Sequence, residues 1–586
     1  MIVKMKKVLL IVQAHQAKSI IDGLAALGVL HVELQQIPQS QDINILKDEI
    51  SLLNEAIKIL SSIDHERDFR DQHKIDISDW KKTVAHIIDC YKRLNQLKDY
   101  SINLRQQIEQ WKEWGDFDPN EIARLAQKNI YVQLYQVPIR ELNRFPKNVE
   151  LKIISKKKGM AKCVVFSWGK PEIVFKELSL AKMSLSRMQQ RINEDNRLIA
   201  QLENQLQQYS CLRQEFVKIR DSLSKELEFQ QVLDGMSTVE TLAYLKGYIP
   251  VFQESLILDF AKKQRCGILI QEPSYDDKVP TLIHNPPWIS IISPVFKLLG
   301  ILPGYHELDI SPLFLLFLAM FFGMIIGDAG YGLVYILLTF WFEKKFSKRV
   351  RDKNIFKLFY LFSACAVFWG IITATVFGQE WFIKIGFRPL VPVLNDTKFL
   401  QTFCFFLGAF HLSLAHGWQA LRKAPSAAAF VDVGWLFVLW AAFFYAKTLI
   451  LNDPLAYFAN WFILIGLSLV ILFTHPQRNI LKMIGEGLST VALSLMNNFT
   501  DIVSYIRLFA VGLAGVAISD TVNNLALTVG STNQFLKILI LFLGHSINII
   551  LGPMSVLVHG IRLNVLEFSS HLGLSWSGFV YRPLEK

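Results

Sequence analysis

The chain has 586 residues, 51% hydrophobic and 19% charged, with a formal charge of +11 and a mean hydropathy of +0.28. That length excludes a single core, and the charges are segregated: residues 1 to 290 read as water-facing, most of 312 to 572 as apolar spans. The positive balance does not imply nucleic acid, since no zinc-finger spacing, RNA-binding signature or basic helix with interleaved aromatics accompanies it; it fits the positive-inside bias of membrane proteins.

The N-terminal MIVKMKKVLLIVQA mimics a signal peptide, but its apolar run is short and is interrupted by Gln13, so it reads as a buried strand. Residues 3 to 35 read strand, helix, strand, with Gly28 ending the helix, and a second such unit follows as STVETLAYLKGYIP, QESLILDFAKKQ and CGILIQEP. Two such units can pair into one ferredoxin-like α/β lobe, over 1–38 and 233–275. Between them the period becomes heptad-like. Ile43, Leu46, Ile50, Leu53, Ile57 and Leu60 form one limb with the run from Trp80 to Trp111, and the series from Leu185 to Leu227 returns. This predicts an antiparallel coiled coil over 39–115 and 177–232. A limb of about 45 residues at 1.5 Å rise reaches roughly 70 Å. At its tip, 116–176 carries β-rich runs and Pro/Gly turns, a distal α/β lobe. The six cysteines form no C-x-x-C pair and read as unpaired thiols.

A linker, 276–311, leads to the membrane domain, 312–586. Seven apolar stretches appear, but the first is broken at Gly327-Asp328-Ala329-Gly330. Reading it as a hairpin gives about eight spans and puts the basic loop 343–353, the loop holding Arg422 and Lys423, the loop His475 to Lys482 and the C-terminal YRPLEK on the side of the soluble half. The hairpin halves are short for a 30 Å core, while the last two stretches, about 40 residues each, are long enough to tilt or bend.

One stretch concentrates the chemistry. SLMNNFTDIVSYIRLFAVGLAGVAIS, from Ser494 to Ser519, is apolar enough for a bilayer yet carries Asn497, Asp501, Ser504 and Arg507. A guanidinium at membrane depth costs about 2.5 to 3.5 kcal/mol and marks a functional site by default. Arg remains protonated and only donates, so it relays no proton, but it can hold a facing carboxylate ionised. At 100° per residue Arg507 shares a face with Ser504, while Asp501 is about 240° away, so the guanidinium is expected to face a charge from outside its helix. Small residues after it permit close approach of another helix. On the last helix Ser555, His559 and Arg562 share a stripe, with Glu567 about 140° away from Arg562. Taken singly, each polar candidate is explained as well by a structural hydrogen bond as by a relay; for His411, His416, Asp432, Glu486, Asp520, His545 and His571 the structural explanation is the better one.

The run SYIRLFAVGLA resembles the SYxRLxALxLA element of the membrane stator subunit of V-type and A-type rotary ATPases, subunit a or subunit I. VHGIRLNVLEF with His559, Arg562 and Glu567, FFGMIIGDAGYG around Asp328, and YLKGYIP at 244–250 extend the resemblance in the family's order. It implies a cytosolic arm that contacts peripheral stalk subunits of E/G type, a central-stalk partner of d/C type, and final helices lying obliquely against a ring of c subunits. It implies a prokaryotic plasma membrane as location, with arm and C-terminus cytoplasmic. The family's mechanism assigns Arg507 the gate between two ion half-channels, Asp328 and His559 to the outer one, and Asn497, Asp501 and Glu567 to cytosolic access. Gly515 stands where eukaryotic members often carry His, so that residue's role does not transfer. The absence of G-x-x-x-x-G-K-[ST] argues against nucleotide binding through a Walker loop, so the chain is expected to be a non-catalytic subunit with no cofactor and no resident metal. Ion selectivity, H⁺ or Na⁺, is expected to reside on the ring. The competing reading is a stand-alone secondary transporter or channel with a cytosolic coiled-coil regulatory domain, and a third is a passive tether. The motor reading requires Arg507 to meet a negative group of another polypeptide; a guanidinium paired off inside its own subunit, or turned away from any moving neighbour, takes that reading with it.

Overall fold

The computed structural model describes residues 1–63, 79–146, 148–157, 159–350, 352–379, 391–474, 480–530 and 533–585. The chain divides into two compact units: Met1–Leu10, Val29–His31 and Lys246–Pro583 in one, Ile11–Gly28, Val32–Leu245 and Leu584–Lys586 in the other.

Chain order begins with β1 (Met5–Gln13), α1 (Ala17–Leu27) and β2 (His31–Glu33). The N-terminal run is thus a strand, with Val8, Leu10 and Val12 buried on one face and Met5 buried on the other. The heptad segments form α2 (Gln41–Ser61), its N-terminus capped by Ser40 Oγ accepting from Ile43 N, and α3 (Trp80–Trp111). The distal lobe follows: α4 (Pro119–Gln127) and the strands β3 (Ile130–Pro138), β4 (Glu150–Lys157) and β5 (Met160–Trp168), an antiparallel sheet in the order β3-β5-β4. The returning limb is α5 (Leu185–Tyr209) and α6 (Arg213–Asp234). Leu53, Ile59 and Leu60 of α2, Val84, Ile87 and Leu94 of α3, Leu206 of α5 and Phe216 of α6 share one core, as antiparallel limbs require.

After β6 (Ser237–Val239) come β7 (Leu242–Pro250), α7 (Glu254–Gln264) and β8 (Gly267–Gln271). The strand order β2-β7-β1-β8 interleaves the two strand-helix-strand segments, the ferredoxin-like arrangement, with β6 added against β7. The C-terminal tail returns to this region: Thr281 N donates to Phe579 O at 2.8 Å, and Arg582 N approaches His31 Nδ1 at 3.1 Å.

The membrane half begins with a short α8 (Ser293–Leu299). Then α9 (Ser311–Ile326) and α10 (Ala329–Phe346) bend by 120° at Gly327 and Asp328, a hairpin rather than a straight span. Gly327 ends α9 at φ 60°, where a side chain is strained, and Asp328 caps α10, its Oδ1 accepting from Tyr331 N at 3.0 Å. The rest is α11 (Asn354–Thr373), α12 (Thr397–Lys423), α13 (Ala429–Leu451), α14 (Ala459–Phe473), α15 (Ile480–Ser504), α16 (Ile506–Gly530) and α17 (Gln534–Ser555). Among the described residues five helices are long and apolar enough to cross a membrane, six counting the bent pair as one; the last two, Ser494–Gly530 and Gln534–His571, run 37 and 38 residues. Of the expected loop His475 to Lys482, residues 475–479 lie outside the described residues. All six cysteines are free thiols.

Candidate functional site

Arg507 is the second residue of α16, just past the break at Tyr505 that separates it from α15. The break is held from outside the helix. The buried Tyr505 hydroxyl bonds His411 Nδ1 at 2.8 Å, and the His411 ring is stacked between Phe317 and Phe568 with centroids 3.7 and 4.2 Å away. Where lipid provides no hydrophobic drive between helices, such packing and hydrogen bonding join α9, α12, α15 and the last helix.

On this scaffold Arg507 Nη2 donates to Glu567 Oε1 at 2.9 Å and Nε to the Ser504 carbonyl at 3.0 Å. Ser504 Oγ lies 3.2 Å from the same Glu567 oxygen and 2.7 Å from the Asp501 carbonyl, so its single proton serves one of them at a time. Arg562 Nε completes the cluster 3.5 Å from Glu567 Oε1. Glu567 is 4% exposed, Arg507 24% and Arg562 54%. Two guanidiniums therefore share one carboxylate, an excess of one positive charge. The second oxygen of that carboxylate, Oε2, is buried without a hydrogen-bond partner.

Two expectations are corrected here. Arg507 is paired inside its own chain, with Glu567, which is the outcome set against the motor reading above; helical-wheel arithmetic weighs partners on the same helix, and Glu567 comes from the last one. Nor does Glu567 point away from Arg562. Residues Val556–Gly560 and Leu563–Phe568 are π-helical, and i→i+5 bonding brings residues five apart into line where α-geometry would separate them.

Asp501 sends its carboxylate elsewhere, with Oδ2 3.1 Å from His571 Nε2. His571 Nδ1 lies 2.8 Å from His416 Nε2, His416 Nδ1 lies 3.3 Å from Asp432 Oδ1, and Lys423 Nζ donates to Asp432 Oδ2 at 2.7 Å. His416, Asp432, His571 and His411 were read from sequence as structural, and the structure joins the first three to Asp501 in one network. Ionisable residues in otherwise apolar helices were the available signal; spacing along one helix could not show that four helices converge.

At the hairpin Asp328 has both oxygens occupied by backbone, Oδ2 accepting from Gly378 N at 2.7 Å. A polar cluster lies beside it. The Tyr331 hydroxyl is 2.7 Å from both Ser519 Oγ and His545 Nδ1, His545 Nε2 is 3.2 Å from Asn523 Oδ1, and Asn548 Nδ2 donates to Ser519 Oγ at 2.7 Å. A cavity of about 120 Å³ adjoins it, lined by Tyr331, Gly515, Asn548 and Ser555 among others. Arg507, Arg562, Glu567 and Ser504 are thus brought together, with Asp501 at their edge. Asp328 is not among them. Asn497 is exposed, and His559 Nδ1 is buried without a partner. Among the described residues no three His, Cys, Asp or Glu side chains converge as a metal site.

No family model matches the chain. The V-type ATP synthase subunit I of Borreliella burgdorferi is similar at 30% identity, and V-type ATP synthase subunit I 1 of Treponema pallidum at 28%, each over the full length of both chains. Among solved structures, the cytoplasmic N-terminal domain of subunit I, homolog of subunit a, of V-ATPase aligns with 45% of this chain and all of its own at 11% identity and a TM-score of 0.23.

Proposed function

Since the chain belongs to the V-type ATP synthase subunit I family, we propose that it is the membrane stator of a rotary ATPase, forming two ion half-channels against a ring of proteolipid c subunits with Arg507 as the electrostatic gate. The observation that carries this is the charge imbalance at the centre of the site. Arg507 and Arg562 share one buried carboxylate, Glu567, so the pocket still favours one more anion. A carboxylate on a passing rotor subunit supplies it. In this reading Glu567 is the partner that Arg507 holds between rotor encounters, which accounts for its pairing within the chain. Among the described residues Arg507 Nη1 has no hydrogen-bond partner, a quarter of the side chain is exposed, and its fixed charge forces the rotor carboxylate to release its ion before passing.

The polar cluster of Tyr331, Ser519, His545 and Asn548, with its adjoining cavity, serves the outer half-channel in this reading. Asp328 shapes the hairpin beneath it and His559 lies on the path to Arg507. Asn497, Asp501 and Glu567 serve cytosolic access. The helical arm binds peripheral stalk subunits of E/G type, and a central-stalk subunit of d/C type is a further partner. The arm and C-terminus are cytoplasmic in this reading. ATP hydrolysis or synthesis occurs on other subunits.

The test is Arg507→Ala in the assembled complex, reconstituted into liposomes. The complex is expected to assemble and lose ATP-coupled ion transport. Coupled transport at the wild-type rate overturns the gate.

A further inference from the structure

Resting on the half-channel reading, we infer that Asp501, His571, His416 and Asp432 form a proton relay that serves the half-channel on the Asp501 side, which makes the proton the ion this subunit carries.

The argument is a count of protons. Three contacts link the four side chains: Asp501 Oδ2 to His571 Nε2 at 3.1 Å, His571 Nδ1 to His416 Nε2 at 2.8 Å, and His416 Nδ1 to Asp432 Oδ1 at 3.3 Å. Each contact needs one proton between its atoms. Two neutral imidazoles bring two, and ionised carboxylates bring none. With two protons, one contact sets a bare lone pair against another; the third proton satisfies all three. Counting Lys423 on Asp432, that third proton also brings the network from a charge of −1 to zero. The three contacts therefore have a place for one extra proton, at any of several positions along the row.

Exposure follows the same line. His571, His416 and Asp432 are 5%, 8% and 6% exposed, while Asp501 at one end is 25% and Lys423 at the other 40% exposed. A row with a buried middle and exposed ends conducts if its members exchange protons. The ring nitrogens are 2.8 Å apart, which leaves no room for a sodium ion between them. A proton arriving on Asp501 Oδ2 passes to His571 Nε2. The proton on His571 Nδ1 then passes to His416 Nε2, and that on His416 Nδ1 to Asp432 Oδ1, from which it leaves to water beside Lys423. One proton enters and one leaves, only N–H and O–H bonds change, and ring rotation resets the tautomers; the reverse sequence runs the other way. Ser504 fixes the placement of Asp501 beside the gate, its hydroxyl lying 2.7 Å from the Asp501 backbone carbonyl and 3.2 Å from Glu567 Oε1, but no proton passes through that carbonyl.

The experiment uses the assembled complex in liposomes, with ATP-driven proton uptake followed by a pH-sensitive dye. His416→Gln and His571→Gln keep a donor and an acceptor at each ring position but cannot pass a proton through the side chain. Each is expected to lower uptake at least 10-fold while subunit composition and melting temperature stay at wild-type values. Wild-type uptake in either assembled variant overturns the relay. A readout independent of any variant is uptake by the wild-type complex in Na⁺-free medium: it is expected to persist, and transport of ²²Na⁺ with no proton uptake overturns the relay even if no variant assembles. Arg507→Ala, measured alongside, separates the two ideas. If it abolishes transport while the glutamine variants do not, only the relay fails; if it leaves transport intact, the gate fails.

Discussion

Glu567→Gln isolates the charge imbalance on which the proposed gate depends. The glutamine keeps the shape and an oxygen for Arg507 Nη2 and Ser504 Oγ, now 2.9 and 3.2 Å from Glu567 Oε1, but the excess charge of the cluster rises from +1 to +2. At an effective dielectric of about 20, one added charge acting over about 7 Å on a rotor carboxylate deepens its well by about 2 kcal/mol. That corresponds to roughly 30-fold slower escape, and water reaching the quarter-exposed Arg507 reduces it toward about 10-fold. The rotor should stick rather than leak. ATP hydrolysis and ion uptake by proteoliposomes are expected to fall together, with their ratio unchanged. Adding Arg562→Gln returns the charge to +1 and is expected to bring both rates back to within a few-fold of wild type. Wild-type turnover in Glu567→Gln refutes the counter-charge argument, and so does loss of uptake while hydrolysis continues, which would make Glu567 a barrier to leakage.

The remaining expectations concern the scaffold. Tyr505→Phe removes the partner of His411 Nδ1 in a fully buried setting whose His411 Nε2 is already unpartnered; a loss of about 1–3 kcal/mol should appear as a lower melting temperature of the purified complex, and an unchanged one refutes the role given to this bond. Gly370→Ala sets a Cβ into the backbone of Ala329 and within 2.6 Å of the Asp328 carbonyl carbon; backbone cannot step aside, so the hairpin should lose at least about 1–3 kcal/mol, read as reduced assembly, whereas wild-type stability refutes that close packing. In the distal lobe Lys157 and Lys162 beside Glu113 push its carboxyl down from 4.5 to about 2. A lowered folded value means that the contact stabilises above the ordinary carboxylate range and loses that contribution as pH falls from about 4.5 toward about 2. Glu113→Gln is expected to flatten this part of the stability–pH curve, measured by thermal melts, and a curve that overlays wild type refutes it.

Much of the fold was legible because it follows from short-range rules. The short apolar run interrupted by Gln13 marked a strand, the three-four spacing of Leu53, Ile57 and Leu60 marked a coiled-coil limb, and the break at Gly327-Asp328 marked a hairpin. Arg507 identified itself, since a guanidinium in an apolar helix has no ordinary explanation. What surrounds it was not legible. Projection on an ideal α-helix placed Glu567 away from Arg562, and the π-helical turns undo that projection. His416, Asp432 and His571 lie more than 130 residues apart at their extremes and carry no shared motif, so nothing along the chain announces that their side chains meet.

The sequence by itself determined which segments are helix, strand or membrane span, because periodicity and hydropathy act over a few residues, and it determined that a permanent charge lies among apolar ones. Only the tertiary structure decided what that charge and its neighbours touch. Helix register at a kink, a π-turn and the convergence of four helices set distances to a fraction of an ångström, and ion pairs and hydrogen bonds between side chains exist only at those distances.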